Sequence, residues 1–278
     1  MFRLTCYIIT LFSPVVLLIC VFLQDVHATD KPVSCQDLFQ KHGSLSGIFE
    51  IRTKCGEKWA FCDQQSRGGG WTVIQQRNGL TGETFWNRSW EDYKIGFGTP
   101  HSESEFWLGN DVIHDLSNRG KRPALLRVEL FGDRTPRSKW ENSYFVSEYD
   151  FRIGNETANY ELEISAHRPL KKLSNGSLPR ADPEYFVGNA SFGWYDITTD
   201  NKAPFSTVDK INDPLPDCVI KFHLGGWWTK WCGTVSLNGE YTPEKMGGGY
   251  GLNWLFNGSY FIHPRRTRMM IRQRWDDL

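Results

Sequence analysis

The sequence predicts a chain of short helices and mainly antiparallel strands, closed by a loop-rich segment that a cystine can pin. Three observations carry that prediction. Short β-rich runs recur between Ile48 and Ser165 with turn residues between them. Helix signals are brief, each ended by glycine or a turn. The stretch Phe205 to Tyr241 holds an acidic Asp/Asn/Pro turn, Cys218, the run Gly225-Gly226-Trp227-Trp228 and Cys232. Cysteines 14 apart can staple such a loop, a constraint of roughly 3 kcal/mol in the loop-entropy model.

At 278 residues the chain is long enough for one large domain or two ordinary ones. An apolar fraction of 40% with 12 Trp and 18 Phe supplies a large core. Lys and Arg total 32, as do Asp and Glu, so global charge does not drive binding to nucleic acid or anionic membranes. No G-x-S-x-G, H-E-x-x-H or P-loop occurs, and no acidic pair can be assigned acid–base work. The missing motifs lead to the expectation of a non-catalytic protein.

Residues 1–28 read as a secretory signal peptide: Arg3, an uncharged run from Tyr7 to Leu23, then Val26-His27-Ala28 at the cleavage site. An uncleaved membrane anchor is the alternative. Ser13-Pro14 interrupts the run, which is short for a spanning helix. N-x-[ST] triplets at Asn87, Asn155, Asn175, Asn189 and Asn257 fit an exported, extracellular glycoprotein with no membrane association after cleavage. Beyond the leader five cysteines remain, Cys35, Cys55, Cys62, Cys218 and Cys232. An odd number leaves one free or bonded to another chain, and two N-terminal pairings stay open. Cys/His spacing for structural zinc is missing.

In chain order, 29–34 form a short linker. Ser34 caps a helix with Asp37 three residues on, and Gly43 ends it. Ile48–Ile51 and Trp59–Cys62 read as strands, and Gly68-Gly69-Gly70 as a tight turn before the strand Trp71–Arg77. Helical candidates follow at 89–94 and 110–117. The aromatics Phe85, Trp86, Trp90, Tyr93, Phe97, Phe106 and Trp107 around them read as core. Runs Ala124–Phe131, Tyr144–Tyr149 and Ala158–Ser165 predict an antiparallel meander, and 167–204 a long polar loop. Five arginines between 265 and 274 read as the solvated face of a terminal strand, with a glycosaminoglycan patch as alternative.

The segments CQDLFQKHGSLSGIFEI, FCDQQSRGGGWTVIQQRNG, FWNRSWEDYKIGFG, ESEFWLGNDVIHDL, LLRVEL, FSTVDKIND, GGWWTKWC and SLNGEY occur here in one order. In that order the chain, from Cys35 to Arg272, resembles fibrinogen C-terminal (fibrinogen-related) domains, most of all the ficolin and tachylectin lectins. The resemblance implies an α+β fold with a central twisted antiparallel sheet, short helices and a loop-rich C-terminal subdomain. The domain would span 35–274, with an N-terminal part of about 35–77, a sheet part of about 78–185 and a loop-rich ligand-binding part of about 186–274.

The same resemblance implies disulfides Cys35–Cys62 and Cys218–Cys232. Cys55 is left as the odd thiol, a candidate for an interchain bridge and a homodimer. It implies a calcium site at Asp213 with carbonyls near Leu215 and Asp217. That site is expected to be weak or absent, a metal-free Asx/Pro turn being the alternative, because Ile211 stands where the family pattern D-x-D-x-D has a carboxylate. It implies an acetyl-sugar cup formed by His223, the Trp231–Cys232 bond, Gly233 and the segment Gly248 to Tyr250. Gly233 and Gly248 replace a histidine and an aromatic expected there. Two functions follow. One is a secreted innate-immune-type lectin for acetylated or modified carbohydrate or glycoprotein. The other is an extracellular signalling module of angiopoietin or tenascin type, for which Trp227, Trp228 and Trp231 suit an interface centre.

Overall fold

The computed structural model describes residues 5–9, 17–21, 31–43, 45–80, 82, 84–166, 185–186, 196–244, 246–256 and 258–274. The expected signal peptide falls largely outside these residues, as do the sequons at Asn175, Asn189 and Asn257. Two compact units divide the chain, Met1–Lys31 and Pro32–Leu278. In the first, Thr5–Ile9 pairs antiparallel with Leu17–Val21.

The first helix of the second unit, α1 (Cys35–His42), starts where Ser34 accepts a hydrogen bond from the Asp37 backbone N–H at 3.1 Å and stops at Gly43. A β-hairpin of Gly47–Thr53 and Gly56–Asp63 follows, then the strand Trp71–Arg77. Helix α2 (Trp90–Ile95) carries a complete capping box between Ser89 and Asp92. Helix α3 (Asn110–Ser117) packs against the sheet through Val112, Ile113 and Leu116.

The main sheet runs, from one edge, Leu162–Ala166, Tyr144–Ile153, Ala124–Phe131, Arg266–Arg272, Trp71–Arg77, Gly56–Asp63 and Gly47–Thr53, every neighbour antiparallel. The expected meander is present, with one difference. Its third strand begins at Leu162 rather than Ala158, because Asn155 caps a 3₁₀ turn over Glu156–Ala158 and Asn159 and Tyr160 take left-handed φ values of 48° and 49°. Within the predicted long loop, Tyr185–Phe186 pairs in parallel with the Tyr144–Ile153 strand and Ile197–Asp200 forms a 3₁₀ turn. The remainder of 167–204 lies mostly outside the described residues.

The last strand is solvated on its arginine face only in part: Arg266 is exposed, whereas Arg268 and Arg272 are half-buried. Arg266–Arg272 sits at the centre of the sheet, and Thr267, Met269, Met270 and Ile271 are buried. Two of its arginines are held rather than offered, and the exposed Arg266 is the exception. Arg268 pairs with Asp63 at 3.3 Å, and Arg272 lies over the Trp71 ring while donating to the carbonyls of Arg67 and Gly69. That geometry argues against a basic patch.

A second, smaller sheet of Val235–Ser236, Asn253–Phe256 and Tyr260–Ile262 organises the C-terminal loops. An aromatic cluster joins these loops to the rest. Trp228 packs on Phe205, Trp107 and Phe151 at 5.2, 6.2 and 6.1 Å, and donates its indole N–H to the Tyr160 carbonyl. A buried tryptophan removes ~200 Å² from water, contributing about 5 kcal/mol as an upper bound. Gly226 is required beside it, since a Cβ there would stand 2.3 Å from the Tyr93 ring. Gln75 on the central sheet donates to the Leu237 carbonyl at 2.8 Å and accepts from Thr267 at 2.9 Å, tying strand to loop.

Candidate functional site

Both resemblance-derived disulfides are present, Cys35–Cys62 and Cys218–Cys232, and Cys55 is a free, exposed thiol in the Thr53–Gly56 turn. Cys218 lies in the short helix α4 (Asp217–Lys221), which runs directly into Phe222 and His223. The disulfide therefore anchors the Trp231–Cys232–Gly233 turn to the start of the segment that carries His223.

Three non-glycine residues of this region take left-handed backbone: His223 (φ 51°), Trp231 (φ 56°) and Cys232 (φ 66°). Each such residue costs of order 1–3 kcal/mol and persists only where its surroundings fix it. At His223 the surroundings are visible. Its carbonyl accepts from the Glu240 N–H at 2.9 Å and its ring Nδ1 meets Glu240 Oε2 at 2.7 Å. The imidazole stacks on the Trp86 indole with centroids 4.1 Å apart and planes 12° from parallel. Beside it, the Phe222 carbonyl accepts from Gly251 N–H at 2.8 Å, and the Phe222 ring packs on Tyr250 at 4.7 Å.

The residues of the expected acetyl cup are thus distributed unevenly. His223 is half-buried in a stack, and Tyr250 leans on Phe222. Trp231 stands 64% exposed. Gly248 is open, since a Cβ there would meet nothing within 4 Å. Gly233 lies against Asp200, both of whose carboxylate oxygens would be 3.4 Å from its Cβ. Trp227 and Trp228 are wholly buried, so of the three tryptophans suited to an interface centre only Trp231 can touch a partner. Trp86, read from sequence as core, is half-buried and belongs to this face instead. Its adjacent sequon residue Asn87 is exposed, a signal of surface position that was present in the sequence.

The turn that carries Tyr250 hangs on His263. This imidazole is fully buried, accepts from Gly247 N–H at Nε2 (3.0 Å) and faces the Leu252 carbonyl with Nδ1 (3.1 Å). An N–H donor at one nitrogen and an acceptor at the other assign a neutral ring protonated at Nδ1. Burial pushes its pKa below the usual imidazole range; the Leu252 carbonyl opposes that, Arg134 reinforces it and Asp133 opposes it.

The acidic turn gives a test of fit for calcium. Asp209 is committed elsewhere, its Oδ1 accepting from Trp90 N–H and the Thr207 hydroxyl. Ile211 offers no donor. Asp213 Oδ1 accepts from Leu215 N–H at 2.7 Å, the Leu215 carbonyl accepts from Cys218 N–H at 3.0 Å, and Asp217 forms an exposed pair with Lys221. What remains is Asp213 Oδ2, buried and without a hydrogen-bond partner among the described residues, and Asp200 Oδ2 in the same condition. Burial first, then the Asp213 charge, push the Asp200 carboxyl well above the usual carboxylate range, with Lys230 acting the other way. Among the described residues no group of three or more His, Cys, Asp or Glu could hold a metal ion. Calcium takes six to eight oxygens, and of the expected set Asp213 alone keeps a buried carboxylate oxygen without a hydrogen bond among the described residues.

Among the described residues no helix is long and apolar enough to cross a membrane. A family profile described as "Fibrinogen beta and gamma chains, C-terminal globular domain" matches residues 31–274. The human fibrinogen alpha chain is 37% identical over 268 residues, covering 88% of this chain and 28% of that protein. Ryncolin-4 of Cerberus rynchops is 35% identical over 86% of this chain and 60% of its own length. Human angiopoietin-1 is 35% identical over 87% of this chain and 43% of its own. The chain therefore spans less than two thirds of each of these relatives. The fibrinogen-like globe domain of human ANGPTL6 superposes with a TM-score of 0.66 at 28% identity, over 89% of this chain and 99% of that one. With its antiparallel sheet and, among the described residues, four short α-helices and two disulfides, the chain belongs to the family of fibrinogen C-terminal globular domains.

Proposed function

We propose that the protein is a secreted, non-catalytic lectin whose aromatic face of Trp86, Phe222, His223, Trp231 and Tyr250 binds acetylated or otherwise modified carbohydrate. Trp231 is the observation that carries this reading. It is 64% exposed yet fixed by a left-handed backbone and an adjacent disulfide. Holding a large apolar ring in water in a strained conformation stabilises nothing in the fold, and a preorganised aromatic suits the apolar face of a sugar ring. The resemblance to ficolins and tachylectins supports the ligand class. The open place at Gly248 and the lean of Tyr250 onto Phe222 favour a wider cup, accepting substituents bulkier than acetyl.

The full chain, passed over an N-acetylated resin, is expected to bind and to elute with free sugar. Trp231→Ala should weaken retention at least tenfold, the equivalent of ~1–3 kcal/mol of lost aromatic contact. Absence of retention on acetylated and sulfated or sialylated resins alike would overturn the lectin reading. It would favour the protein-partner module, for which an exposed tryptophan anchor is also suited.

Multivalency enters through Cys55. We place an interchain disulfide at this exposed thiol, giving a homodimer whose two faces bind together. Burial, and after it Asp111 and Asp115, push the thiol pKa up, so the bridge forms under enzymatic oxidation rather than by spontaneous exchange. A monomer band on non-reducing electrophoresis of the secreted protein would refute the bridge.

A further inference from the structure

A cavity of about 240 Å³ opens on the central sheet, and no residue of the aromatic face lines it. Strand register builds its floor. Arg266 and Arg268, two residues apart, share one face of the last strand. Arg266 lies opposite Phe131, and Phe131 opposite Tyr144; Arg268 lies between Gln76 and Glu129. One wall is the 101–105 loop, tied down onto the sheet. The Gln76 side-chain amide donates to the carbonyls of Ser102 and Ser104, each at 2.8 Å, and the Asn78 amide donates to the Glu103 carbonyl at 2.7 Å. Gln76 and Asn78 are both buried, so this wall is fixed.

Most charges around the cavity are already matched. Arg268 pairs with Asp63 and donates Nε to Gln76 Oε1 at 3.1 Å. Arg127, behind Glu129, reaches Glu129 at 2.8 Å, Glu148 at 3.0 Å and the Tyr144 hydroxyl at 3.3 Å. Arg265, next to Arg266 in sequence, meets Glu141. Two charges remain, Arg266 and Glu103. Both are exposed, both line the cavity, and neither side chain has an ion pair or hydrogen bond among the described residues. Phe131, the cross-strand neighbour of Arg266, adds an apolar surface that is 38% exposed.

We propose that this cavity binds a uronic acid, a sugar ring bearing a single carboxylate. The Arg266 guanidinium takes the carboxylate in a two-pronged fork. Glu103 accepts from ring hydroxyls, and Phe131 meets the apolar C–H face of the ring. The same residues set the selectivity. A neutral sugar leaves Arg266 unmatched, whereas the Glu103 and Glu129 carboxylates repel the second charge of a sulfate or phosphate dianion. The volume lies below the ~300–1,000 Å³ of sites for drug-sized ligands, which suits one ring rather than an oligosaccharide. Roughly 13 non-hydrogen atoms at the efficiency of ordinary small ligands give a dissociation constant of about 1 mM. The site does not depend on which ligand the aromatic face takes.

Saturation-transfer NMR titrations on the full chain test this, with glucuronate, its methyl glycoside and methyl glucoside as probes. Saturable transfer to the two acids and none to the glucoside is expected. Stronger binding of the methyl glycoside assigns the ligand to a uronate carried on a glycan, and stronger binding of glucuronate to the free sugar acid; either supports the site. Arg266→Gln should weaken binding at least tenfold, and Arg266→Lys, which keeps the charge but loses the fork, about threefold. Arg266 has no side-chain partner to lose among the described residues, so both variants should melt with the parent. Trp231→Ala should change uronate binding less than about twofold, since the aromatic face lies outside the cavity. Uronate binding that survives failure on acetylated resin would uphold this site while the lectin reading falls. Loss of uronate binding in Trp231→Ala would place the acid on the aromatic face and overturn the proposal. So would no transfer up to about 20 mM, well above the expected dissociation constant, undiminished binding in Arg266→Gln, equal transfer to methyl glucoside, or displacement by inorganic sulfate at about 10 mM.

Discussion

Acidification should loosen the turn that carries Tyr250 before it unfolds the domain, because His263 holds that turn only while its ring is neutral. Gly247 N–H points at Nε2; a proton added there sets two donors against each other and removes the bond. The charge would also arrive in a fully buried place, beside Arg134 on one side and Asp133 on the other. The sign follows from the lowered folded pKa. Unfolded histidine titrates near 6.5, so the stabilising contribution is complete above that value and is lost as pH falls through the lower folded value. Each pKa unit of lowering corresponds to about 1.4 kcal/mol, and the broken hydrogen bond adds a local loosening of roughly 1 kcal/mol.

Urea unfolding midpoints between pH 8 and pH 5, with amide hydrogen exchange at Gly247–Gly251, measure both effects. His263→Phe should cost about 1–3 kcal/mol at pH 8, because Gly247 N–H and the Leu252 carbonyl lose their partner. It should also flatten the fall in stability below pH 6.5 relative to the parent. Parent and variant differ at this one residue, so the difference between their slopes isolates His263. Identical pH slopes in parent and variant would refute the reasoning, as would exchange at Gly247–Gly251 that does not quicken with acid in the parent.

Replacing Cys218 and Cys232 together by serine should lower stability by about 3 kcal/mol on loop entropy, read as a drop in the urea midpoint. It should also weaken ligand retention, because the left-handed Trp231–Cys232 turn loses its anchor. Glu105→Gln should cost ~3–5 kcal/mol. Arg77 Nε lies 3.1 Å from Glu105 in a nearly dry place and would be left charged, and Gly79 N–H leans on the same carboxylate. Gly226→Ala drives a methyl to within 2.3 Å of Tyr93 and should destabilise by roughly 1–3 kcal/mol or more, seen as a lower melting temperature with both disulfides intact.

What was legible in the sequence is what local chemistry decides. Ser34 with Asp37 and Gly43 marks both ends of α1, and the runs at 71–77 and 124–131 emerge as strands with the bounds their apolar patterns suggest. Which strands become neighbours is a non-local outcome, and the C-terminal strand lies between Trp71–Arg77 and Ala124–Phe131 at the centre of the sheet. Met269-Met270-Ile271 is an unbroken apolar run of the kind buried on both faces of a sheet, but the arginines around it drew attention to solvent. Those arginines lie over Phe61 and Trp71 and cover them with their long stems. The site divides the same way. His223, Trp231 and Tyr250 follow from motif positions near the cystine, whereas Trp86 reaches the face from more than a hundred residues upstream. Asp200, at the edge of a polar stretch without pattern, acquires meaning only when folding carries it against Gly233.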